Sequence, residues 1–160
     1  MTISVGDKIP DVKLMAATSE GPKPVQSSEA LGSGKVVLFA VPGAFTPTCS
    51  EQHFPGYVVR AEDIKAKGVD TVACIAVNDP FVMAAWGAQK DPDGQLTLLA
   101  DGNGDFAAEV GLEMDGRGFG LGTRSQRYAA IIEDGVVTDL QVESAPGVDV
   151  SSAESILAKL

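Results

Sequence analysis

The amino-acid sequence predicts an α/β fold, a mixed central sheet with helices on both faces. Two β-rich runs, Lys35–Val41 and Thr71–Val77, are apolar without alternation, as strands covered on both faces are. The segment between them, about Cys49 to Lys67, has helix-forming composition and stops at Gly68, which gives the strand, crossover, strand order of a parallel pair. Later, Arg127–Ile132 and Val136–Val142 flank Glu133-Asp134-Gly135, a hairpin signal that makes the sheet mixed.

The remaining elements follow in order. The first run is entered from a Gly32-Ser33-Gly34 turn. With Lys35 this turn resembles a fragment of a phosphate loop, but it precedes a strand, whereas a phosphate loop follows one and opens a helix. Asp79 as N-cap and Pro80 as first helical residue start a helix through Trp86. Leu96–Ala100 reads as a third strand, closed by Asp101-Gly102-Asn103-Gly104, with a short helix from Asp105 to Val110. Gly116 to Gly122 lacks the dinucleotide spacing and reads as an irregular loop. Its position just before Arg124 and Arg127 makes it a candidate pocket wall. Ser151 and Glu154 are expected to form a capping box for a last helix over about Ser152–Lys159. The 160 residues contain no linker, repeat or low-complexity stretch, so a single domain over residues 1–160 is expected.

Composition excludes several function classes. Hydrophobic residues at 44% and charged residues at 21% place the chain with ordinary globular proteins and not with disordered ones. A net charge of -10 repels phosphate backbones and anionic lipid, so neither nucleic acid nor membrane is an expected partner. No basic start with an apolar run opens the sequence, and a cytoplasmic location is expected. Two cysteines, Cys49 and Cys74, with one histidine, His53, provide neither a disulfide framework nor zinc-ligand spacing. No metal and no organic cofactor are expected.

The chemistry concentrates at Val41-Pro42-Gly43-Ala44-Phe45-Thr46-Pro47-Thr48-Cys49, which leaves a central strand and enters a helix, where α/β folds place their sites. Thr46 before Pro47 reads as N-cap then first helical residue, with Cys49 third. An N-cap oxygen accepts from the amide of the second or third helical residue, so the Thr46 hydroxyl is expected close to Cys49. The first turn is also where the helix dipole favours an anion. The competing reading of Cys49 is a small buried hydrophobe. His53, four residues on, could pair with Cys49 in a hydrolase, but no orienting partner or oxyanion hole is specified, and a packing or local bonding role is expected. Pro55 removes a backbone bond to Glu51, so a kink is expected near His53. Cys74 lies mid-strand and is expected to be a buried structural cysteine, with a resolving thiol as the alternative.

Pro42, Thr46 and Cys49 fit the Pro-x-x-x-Thr-x-x-Cys pattern of peroxiredoxins. Together with Val77-Asn78-Asp79-Pro80-Phe81-Val82 and Leu121-Gly122-Thr123-Arg124-Ser125-Gln126-Arg127-Tyr128, the chain resembles the type II, or peroxiredoxin-five-like, subfamily over nearly its whole length. The resemblance implies a thioredoxin-like fold and a cofactor-free enzyme that reduces hydrogen peroxide and organic hydroperoxides. By the same resemblance Cys49 matches the peroxidatic cysteine, Thr46 the hydroxyl that contacts it, Pro42 its shield and Arg127 the active-site arginine. Arg124, Phe45, Phe119 and Leu121 are candidates for the surrounding pocket. A homodimer is implied as well. One branch of the family carries a resolving cysteine near the C-terminus, but Val148 to Ser152 has none. The chain therefore looks more like members regenerated by glutaredoxin with glutathione, or by thioredoxin.

Magnitudes assign the arginine its expected role. For thiols in general, lowering a pKa from ~8.5 to ~6 raises the thiolate fraction at pH 7 about 30-fold. Reduced nucleophilicity takes back roughly 10-fold. The remaining acceleration must come from donors that stabilise charge on the breaking O–O bond. The alternative function is a redox sensor or chaperone on the same fold, without peroxide turnover.

Overall fold

The computed structural model describes residues 1–160 and shows a seven-stranded mixed sheet with helices on both faces, as the sequence predicts. β1 (Lys13–Thr18) and β2 (Gly21–Gln26) form an N-terminal hairpin, followed by the short helix α1 (Ser27–Leu31). Neither strand carries a clear local signal in the sequence. β1 is rich in Ala and lacks β-branched side chains until Thr18, and β2 carries Pro22 and Pro24. The prolines are tolerated because β2 is an edge strand paired only with β1.

β3 (Lys35–Val41), β4 (Thr71–Ala76) and β5 (Thr97–Ala100) are parallel neighbours. They are joined through α2 (Phe54–Lys65) and α3 (Pro80–Lys90). α4 (Asp105–Val110) and a two-stranded ribbon, β6 (Glu113–Asp115) with β7 (Thr123–Ser125), follow. The hairpin β8 (Tyr128–Glu133) and β9 (Val136–Val142) then joins the sheet beside β3. Its turn carries positive φ at Asp134 (49°) and Gly135 (82°), the backbone that twist-matched two-residue turns require. The strand order is β2-β1-β5-β4-β3-β8-β9, and α5 (Ala153–Leu157) ends the chain.

Alternation along β3 divides the core. Val37, Phe39 and Val41 face α2, α3 and α5, against Phe54, Tyr57, Trp86 and Ile156. Val36, Leu38 and Ala40 face α1 and α4, against Leu31, Phe106 and Val110. Phe39 stacks on Tyr57 with ring centroids 3.9 Å apart, and truncating such a side chain costs about 3–5 kcal/mol. The face with α2 and α5 carries the site.

The last helix corrects an expectation. Its N-cap is Ser152, whose Oγ accepts from the Ser155 amide at 3.1 Å. Ser151, expected to be a capping partner of Glu154, donates its hydroxyl to the Glu143 carboxylate at 2.6 Å, and Glu154 pairs instead with Arg60 of α2 at 3.5 Å.

Candidate active site

The carboxyl ends of the parallel strands lie at one edge of the sheet, and β3 leaves that edge through Pro42-Gly43-Ala44-Phe45. The Ala44 amide donates to Asn78 Oδ1 at 2.9 Å, which ties this turn to the loop after β4. Asp79 beside it caps α3 by accepting from the amides of Phe81 and Val82. Phe45 takes a left-handed φ of 67° and is half exposed. The Thr46 carbonyl accepts the first helical bond, from the Ser50 amide at 2.9 Å, so Cys49 is the third helical residue.

The Thr46 hydroxyl differs from the expected cap. It donates to the Gly43 carbonyl at 2.6 Å, and the Thr46 amide turns back to the same oxygen at 3.3 Å. The tight turn leaves this carbonyl outside the sheet ladder, and the hydroxyl satisfies it. Thr46 thereby closes the turn, with the lone pairs of its oxygen free of the helix amides.

The break expected at Pro55 takes the form of a widened turn. Residues Cys49–His53 are a π-helix, with the Phe54 amide bonded to the Cys49 carbonyl five residues back. α2 then starts with Pro55 in its first turn, where the missing N–H is no loss. Cys49, Ser50 and His53 are all buried. Ser50 Oγ accepts from Trp86 Nε1 at 2.9 Å, which fixes the turn to α3.

Register brings the arginine in. Tyr128 of β8 lies opposite Ala40, so Arg127, one residue earlier, reaches the end of β3. Its Nη2 donates to Cys49 Sγ at 3.1 Å, and its Nη1 donates to His53 Nδ1 at 2.9 Å. His53 Nε2 donates to the Ser151 carbonyl at 3.0 Å, a partner 98 residues away. Of the packing or local bonding role expected for His53, the structure shows the packing, against Phe39 and Tyr57, and gives the ring two hydrogen-bond partners distant in sequence in place of local ones. Burial first, then the charge of Arg127, lowers its pKa to about 4, against the raising effects of the Ser151 carbonyl and Glu143.

Arg124 stays one step from the sulfur. Its Nε donates to the Leu121 carbonyl at 2.9 Å and its Nη1 to the Pro42 carbonyl at 3.3 Å, bracing the turn before Cys49. Phe119, expected near the pocket, is 89% exposed on the loop between β6 and β7. The open groove beside the site, about 510 Å³, is lined by Pro42, Thr48, Arg127 and Met114, with Glu113 and Glu143 at its acidic side. Leu121 and Phe45 do not line it. Glu113, Met114 and Glu143 carried no sequence signal, because β6 and the end of β9 meet at the site only through folding.

Cys74 is buried in β4 beside Phe39, in the same core cluster as Cys49. Burial first, and the neighbouring Cys49 second, push its thiol well above the ordinary range. Both cysteines are free. No group of three His, Cys, Asp or Glu is placed to hold a metal ion, and no helix is long and apolar enough to cross a membrane.

Residues 4–157 match the redoxin family. The chain is 47% identical to peroxiredoxin-2E of Arabidopsis thaliana, a chloroplastic protein, over 99% of this chain and 70% of that one. It is 45% identical to peroxiredoxin-2B of the same plant, over 99% and 98% of the two chains. The structure of reduced Prx3 from Vibrio vulnificus in complex with H2O2 superposes with a TM-score of 0.93 at 52% identity, covering 99% of both chains. Peroxiredoxin 5 from Alvinella pompejana gives 0.86 at 36% identity, covering 98% and 96%. With this fold, these motifs and these relatives, the chain belongs to the peroxiredoxins, thiol-dependent peroxidases of the redoxin family, in the type II subfamily.

Proposed function

We propose that Cys49 is the peroxidatic cysteine, that Arg127 and Thr46 activate the peroxide, and that Pro42 shields the sulfur. The observation that carries this reading is the 3.1 Å contact of Arg127 Nη2 with Cys49 Sγ. The Cys49 thiolate attacks the near peroxide oxygen, the O–O bond breaks, and water or alcohol leaves with a proton. Cys49 ends as sulfenic acid, oxidised by two electrons. Arg127 keeps further N–H groups for the leaving oxygen, and its fixed fork allows one guanidinium to serve sulfur and peroxide together. Thr46, whose proton is committed to Gly43, offers lone pairs to a peroxide O–H.

A Cys/His hydrolase is disfavoured by the same geometry. Both ring nitrogens of His53 are engaged, by Arg127 and by Ser151, so neither is available to take a proton from Cys49.

The proposed reductant is glutaredoxin with glutathione, with thioredoxin as the second candidate. One thiol condenses with the sulfenic acid and releases water; a second displaces the mixed disulfide and regenerates Cys49. The absence of a cysteine in Val148–Ser152 and the core position of Cys74 favour an external thiol. The proposed assembly is a homodimer, supported by exposed Phe45 in the turn before Cys49, Phe81 in the first turn of α3 and Phe119 between β6 and β7. Peroxide turnover measured side by side with each reductant tests the function. Stoichiometric oxidation without turnover in either system would favour the sensor reading.

A further inference from the structure

Arg127 is a long, flexible side chain, and a guanidinium that wandered would lose its geometry against the sulfur. The structure holds it at two points, Cys49 Sγ and His53 Nδ1. The role of His53 in this pair is decided by its other nitrogen. The Ser151 carbonyl can only accept, so Nε2 carries the proton and Nδ1 presents a lone pair, the one form that can receive Arg127.

The Ser151 carbonyl is itself fixed. Tyr57 Oη donates to it at 2.7 Å, and the Ser151 amide and hydroxyl donate to the Glu143 carboxylate at 2.9 and 2.6 Å. The Glu143 amide donates back to the Arg127 carbonyl at 3.0 Å. The contacts close a ring from Arg127 through His53, Ser151 and Glu143 to Arg127 again. We infer that His53 is a positioning residue, whose Nδ1 lone pair, oriented by the Ser151 carbonyl, holds the Arg127 guanidinium against Cys49 for O–O cleavage. This rests on the role proposed for Arg127 above.

A purely packing role fits less well. His53 contacts Phe39 and Tyr57, with ring centroids 5.0 and 5.5 Å away, and an apolar side chain could serve there. An apolar replacement would leave the Ser151 carbonyl still bonded to Tyr57, so the loss falls on the anchor of Arg127. The charged and titratable groups around the imidazole are Arg127, Glu143, Tyr57 and Cys49, and its lowered pKa keeps the lone pair available at neutral pH.

The test uses His53→Leu and His53→Asn, each alone and combined with Arg127→Gln, with thermal unfolding to verify folding. Asn offers an acceptor oxygen near the Nδ1 position. The readouts are the rates of hydrogen peroxide reduction and of iodoacetamide alkylation at Cys49. His53→Leu is expected to slow peroxide reduction about 10-fold or more and alkylation far less, as loss of orientation alone would. His53→Asn should recover much of the lost rate. In the Arg127→Gln background His53→Leu should change the rate by less than about 3-fold, because residues acting through one another are not additive. A folded His53→Leu enzyme at full rate, or effects of the two substitutions that multiply, overturns the inference. So does His53→Asn at a rate as low as a folded His53→Leu; if Leu does not fold, a folded Asn variant slowed like Arg127→Gln does the same. A full-rate Arg127→Gln enzyme instead overturns the role of Arg127 itself, a separate and recognisable failure.

Discussion

Arg127 and Cys49 stand 78 residues apart in sequence, and the arginine's Nη2 lies 3.1 Å from the cysteine's sulfur. The contact exists because β8 runs antiparallel to β3 in the register that places Tyr128 opposite Ala40. Arg127→Gln should slow peroxide reduction about 100-fold or more, roughly 3 kcal/mol of lost transition-state stabilisation. Alkylation by iodoacetamide, which needs the thiolate but no O–O activation, should fall much less. Both rates measured across pH decide the matter. Equal losses would reduce Arg127 to a group that only ionises the thiol.

Cys74 should be dispensable for turnover with an external thiol. It is buried in β4, and burial disfavours its thiolate, the form that exchange chemistry requires. Cys74→Ala should cost about 1–2 kcal/mol of stability through the lost sulfur and keep most glutaredoxin-supported activity. Cys49→Ser should lose all activity. A folded but inactive Cys74→Ala enzyme would assign Cys74 the resolving role.

His53 makes acid stability a specific expectation. An unfolded histidine titrates near 6.5, whereas burial, chiefly, depresses His53 to about 4 in the native state. Between these values the unfolded chain binds the proton and the native chain does not. Unfolding free energy therefore rises with pH across this window and is lost on acidification, by about 3 kcal/mol over its full span. Denaturant unfolding between pH 4 and 7 should show this slope, and His53→Gln should flatten it. An unchanged slope in the variant would assign the acid sensitivity to other groups.

The proposed dimer makes a separate claim about the surface. Phe81 is 70% exposed and Phe119 is 89% exposed, a poor arrangement for a lone acidic chain unless a partner covers them. Light scattering in reductant at micromolar concentration should give twice the 16.5 kDa chain mass. Phe119→Glu should shift it toward the monomer without unfolding the chain. A wild-type protein at the monomer mass would remove the proposal.

Local pattern sufficed for much of this molecule. The apolar runs of β3 and β4, the Asp79-Pro80 helix start and the Asp134-Gly135 turn are legible because each is set by neighbours in sequence. The position of Cys49 in a helix's first turn is legible for the same reason. The N-terminal hairpin was not, because its strands owe their state to β5 and to an edge position. The Thr46 hydroxyl illustrates the limit within the motif itself: a cap geometry was available locally, yet the hydroxyl donates to the Gly43 carbonyl of the folded-back turn.

The sequence by itself therefore determined the central strands and their helices, singled out Cys49 as the candidate nucleophile and carried the family resemblance. The tertiary structure decided what surrounds that cysteine. Register across β3, β8 and β9 brings Arg127 and Glu143 into one row, and the return of residues 149–151 brings Ser151 under His53. Partners of this kind satisfy buried polar atoms that no local pattern can pair, and only chain closure over about 100 residues supplies them.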